Sequence, residues 1–190
     1  MIKLLLYIVN VLSYIRLLPL YLYYKIKLYK GSSQAILFQE DLKRQPNYNF
    51  FSLMNIKYQR NIYYLRFKPF GHIFRIIAPR DSSIHSTSNI SGGVLFAHPY
   101  NTYINASRIG KNFKVYHNVT IGNNNGGIPV IGDNVSVYTN AVVVGNIRIG
   151  DNVNIGAGCV VTHDVPDNCT VIGNPAIIIK KNGKKVSEKL

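Results

Sequence analysis

The 190-residue sequence predicts a mainly β protein, a parallel β-helix of about five coils preceded by an α-helical segment. Three observations carry that expectation. Aliphatic residues recur every six positions through the second half of the chain, Gly and Asn recur at set places between them, and charge is divided unevenly between the two ends. Apolar residues make up 47% of the chain and charged residues 16%, which excludes a disordered polar chain. Two cysteines with no CxxC pair give neither a disulfide framework nor a structural zinc site.

Residues 1–80 hold 13 Lys and Arg against Glu40 and Asp41, a net of +11, whereas residues 81–190 hold 9 against 6, a net of +3. Two segments with different jobs are therefore expected. The run Leu4–Tyr24 carries one charge, Arg16, and its 21 residues are long enough to cross a bilayer. Its polar positions point instead to a helix lying in an interface. Asn10, Ser13 and Arg16 fall three apart with Lys3 on the same side, a narrow polar stripe on a broad apolar surface. Pro19 is expected to break or kink this helix near Leu18. Lys25, Lys27 and Lys30 follow, and 10 of the 14 tyrosines precede residue 81, a combination suited to the headgroups of an anionic bilayer. Packing on the same protein or on a sister subunit is the other reading of this helix. A secretory signal is not expected, because no small-x-small cleavage site follows and the first alanine is Ala35. The basic residues are interleaved with aliphatics and form no open polar face for nucleic acid.

The six-residue period begins with Ile84, Ile90 and Phe96, resumes with Ile109, Val115 and Ile121, and then runs unbroken through Ile131, Val137, Val143, Ile149, Ile155 and Val161. Four places after most of these stands a second apolar or small residue, as at Val119, Val135, Ala141, Ile147, Val153, Cys159 and Val165. Glycine follows directly at Gly110, Gly122, Gly132, Gly150 and Gly156, with Asn or Asp two or three places on. A strand alternates faces every two residues, so a six-residue unit with a turn returns the same face inward. Gly and Asn are expected to supply the left-handed backbone of the corners. Three units close a triangular coil, and coils stacked at about 4.8 Å bury one aliphatic column. Residues 81–179 therefore read as the β-helix domain, 1–80 as a basic, mainly helical segment and 180–190 as a basic tail. Asn123 to Pro129 must leave the column as a loop.

The stretches SIHSTSNISGGVLFAHPYNTYIN, VYHNVTIG and IGAGCVVTHDVPDNCTVIGNPA, within Ser83–Lys181, resemble the hexapeptide-repeat β-helix acyltransferases, specifically their serine acetyltransferase-like branch. That resemblance implies a left-handed β-helix, a homotrimer with active sites between neighbours, and acetyl transfer from acetyl-CoA to a hydroxyl or amine. His98 stands where the branch carries its general base. An alcohol must lose its proton as it attacks a thioester, and an imidazole accepts one at neutral pH. Three positions depart from the pattern. Ser83 and Ala97 replace two acidic residues, one orienting the imidazole and one holding an amino-acid acceptor, and Ile128 replaces a loop histidine.

These departures lead to the expectation of a neutral, hydroxylated acceptor, a sugar of bacterial surface polysaccharide. Serine O-acetylation for cysteine synthesis is the alternative, and a non-catalytic assembly scaffold a second one. The resemblance places CoA against Asn123, Thr139 and Ala157 in the groove between β-helices, with Lys180 and Lys181 as partners for its phosphates. His117 either contacts the acceptor, with Ser83, or is an outward histidine on a flat face. His85 is expected to be structural, His72 and His163 have no motif support, and Cys159 is a packing residue. No metal is expected. The chain is expected in the cytoplasm, with contact of the N-terminal segment to the inner face of the membrane.

Overall fold

The computed structural model describes residues 2–45, 49–56, 59–68, 73, 83, 84, 88–124 and 126–190; His72 and His85 lie outside the described residues. The chain divides into two compact units, Met1–Arg80 and Asp81–Leu190.

Four helices build the first unit: α1 (Ile2–Tyr29), α2 (Ser33–Arg44), α3 (Phe50–Asn55) and α4 (Arg60–Arg66). α1 runs through Pro19, so of the expected break or kink the break does not occur. Proline removes one donor, the partner of the Ile15 carbonyl, and Pro19 lies on the exposed side of α1, where water can serve that carbonyl instead. Leu17, Leu20 and Tyr24 form the buried side of α1. Phe38 of α2 meets the rings of Tyr24 and Tyr63 edge-on at 5.1 and 5.6 Å, while Phe50 of α3 stacks on Tyr24 at 5.8 Å. The Tyr63 hydroxyl donates to the Leu20 carbonyl at 3.2 Å, tying α4 to α1. Burial, with smaller contributions from Tyr23 and Tyr64, pushes its phenol well above the usual range. Arg66 grips the buried Asp41 carboxylate with two bonds, 2.7 and 3.0 Å, joining α4 to α2.

The second unit is a three-faced parallel β-helix. The first face holds β1 (Ser83–Ile84), β4 (Tyr103–Ile104), β7 (Thr120–Gly122), β10 (Val142–Val144) and β13 (Val160–Val161). The second holds β2 (Asn89–Ile90), β5 (Arg108–Ile109), β8 (Val130–Ile131) and β11 (Arg148–Ile149). The third holds β3 (Leu95–Phe96), β6 (Lys114–Val115), β9 (Ser136–Val137), β12 (Asn154–Ile155) and β14 (Cys169–Ile172). Four coils are complete, and in a fifth the second face shrinks to the bridge between Ile149 and Val165. Ile121 and Val143, Ile131 and Ile149, Val137 and Ile155 stack in register on the three faces and are sealed from solvent. Each such side chain contributes about 1.5–3 kcal/mol of burial.

At the corner between the second and third faces the left-handed residues are Gly93 in the top coil, φ 78°, and Asn112, Asn134, Asn152 and Asn168 below it, φ 57–59°, as expected of Gly and Asn. Gly110, Gly132 and Gly150, two places before three of these asparagines, are not left-handed. The asparagine carboxamides form a ladder, each donating to the next oxygen at 2.9–3.0 Å. Beside it Asp133, Asp151 and Asp167 accept from the backbone amides of Lys111, Asp133 and Asp151 at 2.7–2.8 Å. The glycines are needed for close approach: a Cβ on Gly132 would lie 2.8 Å from the Gly150 carbonyl carbon, too near to fit.

Residues 180–190 are not a tail. β15 (Ile177–Lys181) pairs antiparallel with β14, and β16 (Lys184–Lys189) pairs with β15, extending the third face. Three consecutive isoleucines favour a strand, and the left-handed Asn182-Gly183 turn returns the chain.

Candidate active site

The corner between the third and first faces carries four of the candidate residues, His98, His117, Thr139 and Ala157. In its lower coils the spacing from one inward residue to the next is six, from Val115 to Ile121, Val137 to Val143 and Ile155 to Val161. In the top coil Phe96 and Ile104 are eight apart, so the corner holds two extra residues. Backbone bonds show which two. The carbonyls of Tyr100, His117 and Thr139 accept from Asn118, Asn140 and Gly158 at 2.7, 3.3 and 2.9 Å, so Tyr100 occupies the regular corner position. His98 and Pro99 are therefore an excursion from it. His98 is exposed and itself left-handed, φ 53°, and its carbonyl accepts from Tyr100 N at 2.8 Å.

Thr102 secures the excursion from below. It is buried, and its hydroxyl donates to the Tyr116 carbonyl at 2.9 Å while the Val119 amide approaches it at 3.4 Å. Neither Thr102 nor Tyr100 was singled out by the sequence reading. The signal was present as the eight-residue gap between Phe96 and Ile104, which breaks a period of six.

His117, Thr139 and Ala157 stack in one column below Tyr100, as their registers require. Thr139 Oγ1 stands 3.5 Å from His117 Nδ1. Next to them on the third face the rings of Tyr116 and Tyr138 stack at 5.0 Å, with Lys114 Nζ 5.0 Å from the Tyr116 ring. Ser83 lies on β1 opposite Tyr103. Asn123 opens the loop after β7, its side-chain oxygen accepting from Gly127 N at 3.3 Å. Lys180 and Lys181 are on β15, away from this corner in sequence and joined to the third face through β14. Lys180 is exposed, and Lys181 pairs with Glu188 at 2.8 Å, which holds its ammonium above its usual pKa. Burial pushes the Cys159 thiol up, in keeping with a packing role inside the column. Among the described residues no group of three or more His, Cys, Asp or Glu could hold a metal ion.

The triangular coil stack, with an exposed histidine lifted from one corner, has the left-handed β-helix fold of solved hexapeptide-repeat transferases. Residues 128–163 match the family of the bacterial transferase hexapeptide (six repeats). A serine acetyltransferase of Synechococcus elongatus is 36% identical over 121 residues, 61% of this chain and 49% of that protein. One from Bacillus subtilis is 43% identical over 86 residues, 43% of this chain and 40% of that protein. The chain thus spans about half the length of the curated relatives it matches. The crystal structure of a Neisseria gonorrhoeae serine acetyltransferase aligns with a TM-score of 0.65 at 26% identity, over 85% of this chain and 70% of that one. Another structure of it, in complex with serine, aligns with a TM-score of 0.63 at 26% identity over 78% and 70% of the two chains. The resemblance to the serine acetyltransferase-like branch is thereby shown. The same matches overturn the expectation of polysaccharide acetylation: these relatives and neighbours are serine acetyltransferases, despite the departures at Ser83, Ala97 and Ile128.

Proposed function

We propose that the chain is a serine O-acetyltransferase, moving an acetyl group from acetyl-CoA to the hydroxyl of L-serine with His98 as general base. The observation that carries the reading is the His98–Pro99 excursion, which sets an imidazole outside an otherwise regular corner. The names of the matched relatives and the serine-bound neighbour support the acceptor.

The serine oxygen attacks the thioester carbonyl carbon as its proton passes to the His98 imidazole. Backbone amides near the loop after β7 stabilise the resulting tetrahedral oxyanion. Collapse breaks the C–S bond, and the departing CoA sulfur takes the proton back from the imidazolium. The protein acts as a homotrimer, with His98 facing the cleft between neighbours. Acetyl-CoA lies there against Asn123, Thr139 and Ala157, with Lys180 on its phosphates and Lys181 exchanging Glu188 for them. Ser83 and His117 contact the acceptor. With Ala97 and Ile128 in place of ionisable groups, serine is held by fewer ionic contacts, which raises KM, while Ser83 in place of the acidic residue that orients the imidazole lowers kcat.

Thiol release from acetyl-CoA in the presence of L-serine tests the proposal. His98→Ala should lower turnover by about 10²–10⁴ while leaving CoA binding intact. Absence of serine-dependent thiol release from the intact chain, or near wild-type turnover in the variant, defeats it.

A further inference from the structure

The side of α1 that faces away from Leu17, Leu20 and Tyr24 is apolar and uncovered. Val11, Ile15, Leu18, Leu22 and Ile26 recur at steps of three and four and are 38–62% exposed. Exposed Tyr7 and Tyr29 close the two ends, so at 1.5 Å per residue the strip is about 33 Å long. A continuous apolar patch of this length marks an interaction surface. Helical spacing places Lys25 along one edge and Lys30 along the other, with exposed Arg16 beyond Lys30 and half-buried Lys27 turned toward the packed side. The first acidic residue of the chain is Glu40, beyond α1 altogether. Ser13, read from the sequence as part of a narrow polar stripe, is half-buried on the packed side.

We infer that this face of α1 docks onto an anionic membrane, its aliphatic side chains among the acyl chains and the flanking Arg16, Lys25 and Lys30 on lipid phosphates. Charge complementarity selects the occupant. Two copies joined through this face would set cations against cations, with no carboxylate on α1 to answer them. Lipid phosphates supply the missing sign. Exposed tyrosines at both ends suit the headgroup layer, where an apolar ring and a polar hydroxyl are both accommodated. No helix among the described residues is long and apolar enough to cross a membrane, so α1 lies in the interface plane. The inference stands apart from the reading of the active site.

Sedimentation of the full chain with vesicles tests it. Wild type should pellet with phosphatidylcholine vesicles containing about one third phosphatidylglycerol, and about tenfold more weakly with phosphatidylcholine alone or in about 1 M salt. Leu22→Glu with Ile26→Glu should weaken pelleting by about tenfold or more at unchanged far-ultraviolet dichroism, because both residues are exposed. Lys25→Glu with Lys30→Glu should do the same through charge alone. Wild type remaining in the supernatant with anionic vesicles overturns the inference. So does an L22E/I26E variant that pellets like wild type, or one that instead splits a solution assembly.

Discussion

At Asn134 the backbone is left-handed and the carboxamide both donates to Asn152 and accepts from Asn112. Two separate energies meet in that side chain. Asn134→Ala forces a methyl group into the left-handed region and removes the ladder bonds, an expected loss of about 1–3 kcal/mol in urea unfolding. Asn134→Gly restores the backbone freedom and loses only the bonds, so its cost should be clearly smaller. Equal losses would mean that the ladder alone matters. The Cys159 thiol is sealed in the column and its pKa is raised by burial. Its folded pKa lies above the unfolded one, so its contribution to stability is complete below the unfolded thiol pKa and declines as pH rises through the thiol range. Near pH 8, where an exposed thiol has begun to ionise, Cys159 should stay unreactive toward a disulfide reagent until denaturant is added. Rapid labelling of the native chain at Cys159 would contradict the buried placement.

Among the elements, the top corner is the one in which packing and chemistry separate. Its two extra residues are not needed to close a coil, since the corners below close with six-residue spacing. A chain lacking His98 and Pro99 should therefore fold with nearly wild-type stability and show no acetyl transfer. Loss of folding in that variant would show that the excursion is structural. The column responds in the opposite way. Ile155→Ala opens a void between coils and should cost about 2–5 kcal/mol, whereas Val130→Ala, on an outward position 39% exposed, should change stability by about 0.5 kcal/mol or less. In the helical unit, Asp41→Ala leaves the buried Arg66 guanidinium without its carboxylate and should cost about 3–5 kcal/mol.

For the molecule as a whole, the proposed trimer makes activity depend on assembly, because the site is completed by a neighbour. Specific activity should fall on dilution as light scattering records loss of trimer; a fully active monomer would refute the shared site. The distribution of charge also belongs to this scale. The net of +11 in residues 1–80 coincides with the unit that exposes an apolar helix face, while the nearly balanced remainder forms the β-helix.

Much of the β-helix was legible because its inward positions repeat along the chain itself. Ile131 through Val161 announce their shared interior by spacing alone, and the Asn123–Pro129 loop shows as a break in that spacing. His98 was singled out by the motif around it, whereas its exposed place on a two-residue excursion followed only from the coils stacked below. Other features were settled only by contacts between distant residues. Asn134 turns a corner and Gly132 is small because of what stands in the next coil, 16–22 residues away along the chain. The β14–β15–β16 hairpin required an open sheet edge to receive it, although Asn182-Gly183 was a turn signal in plain view. Pro19 was tolerated because its lost bond faces the exposed side of α1, and the apolar face of α1 was revealed by what Leu17, Leu20 and Tyr24 bury themselves against. A period is a property of neighbours in sequence and can be read there, whereas the surroundings of a side chain depend on where the rest of the chain returns.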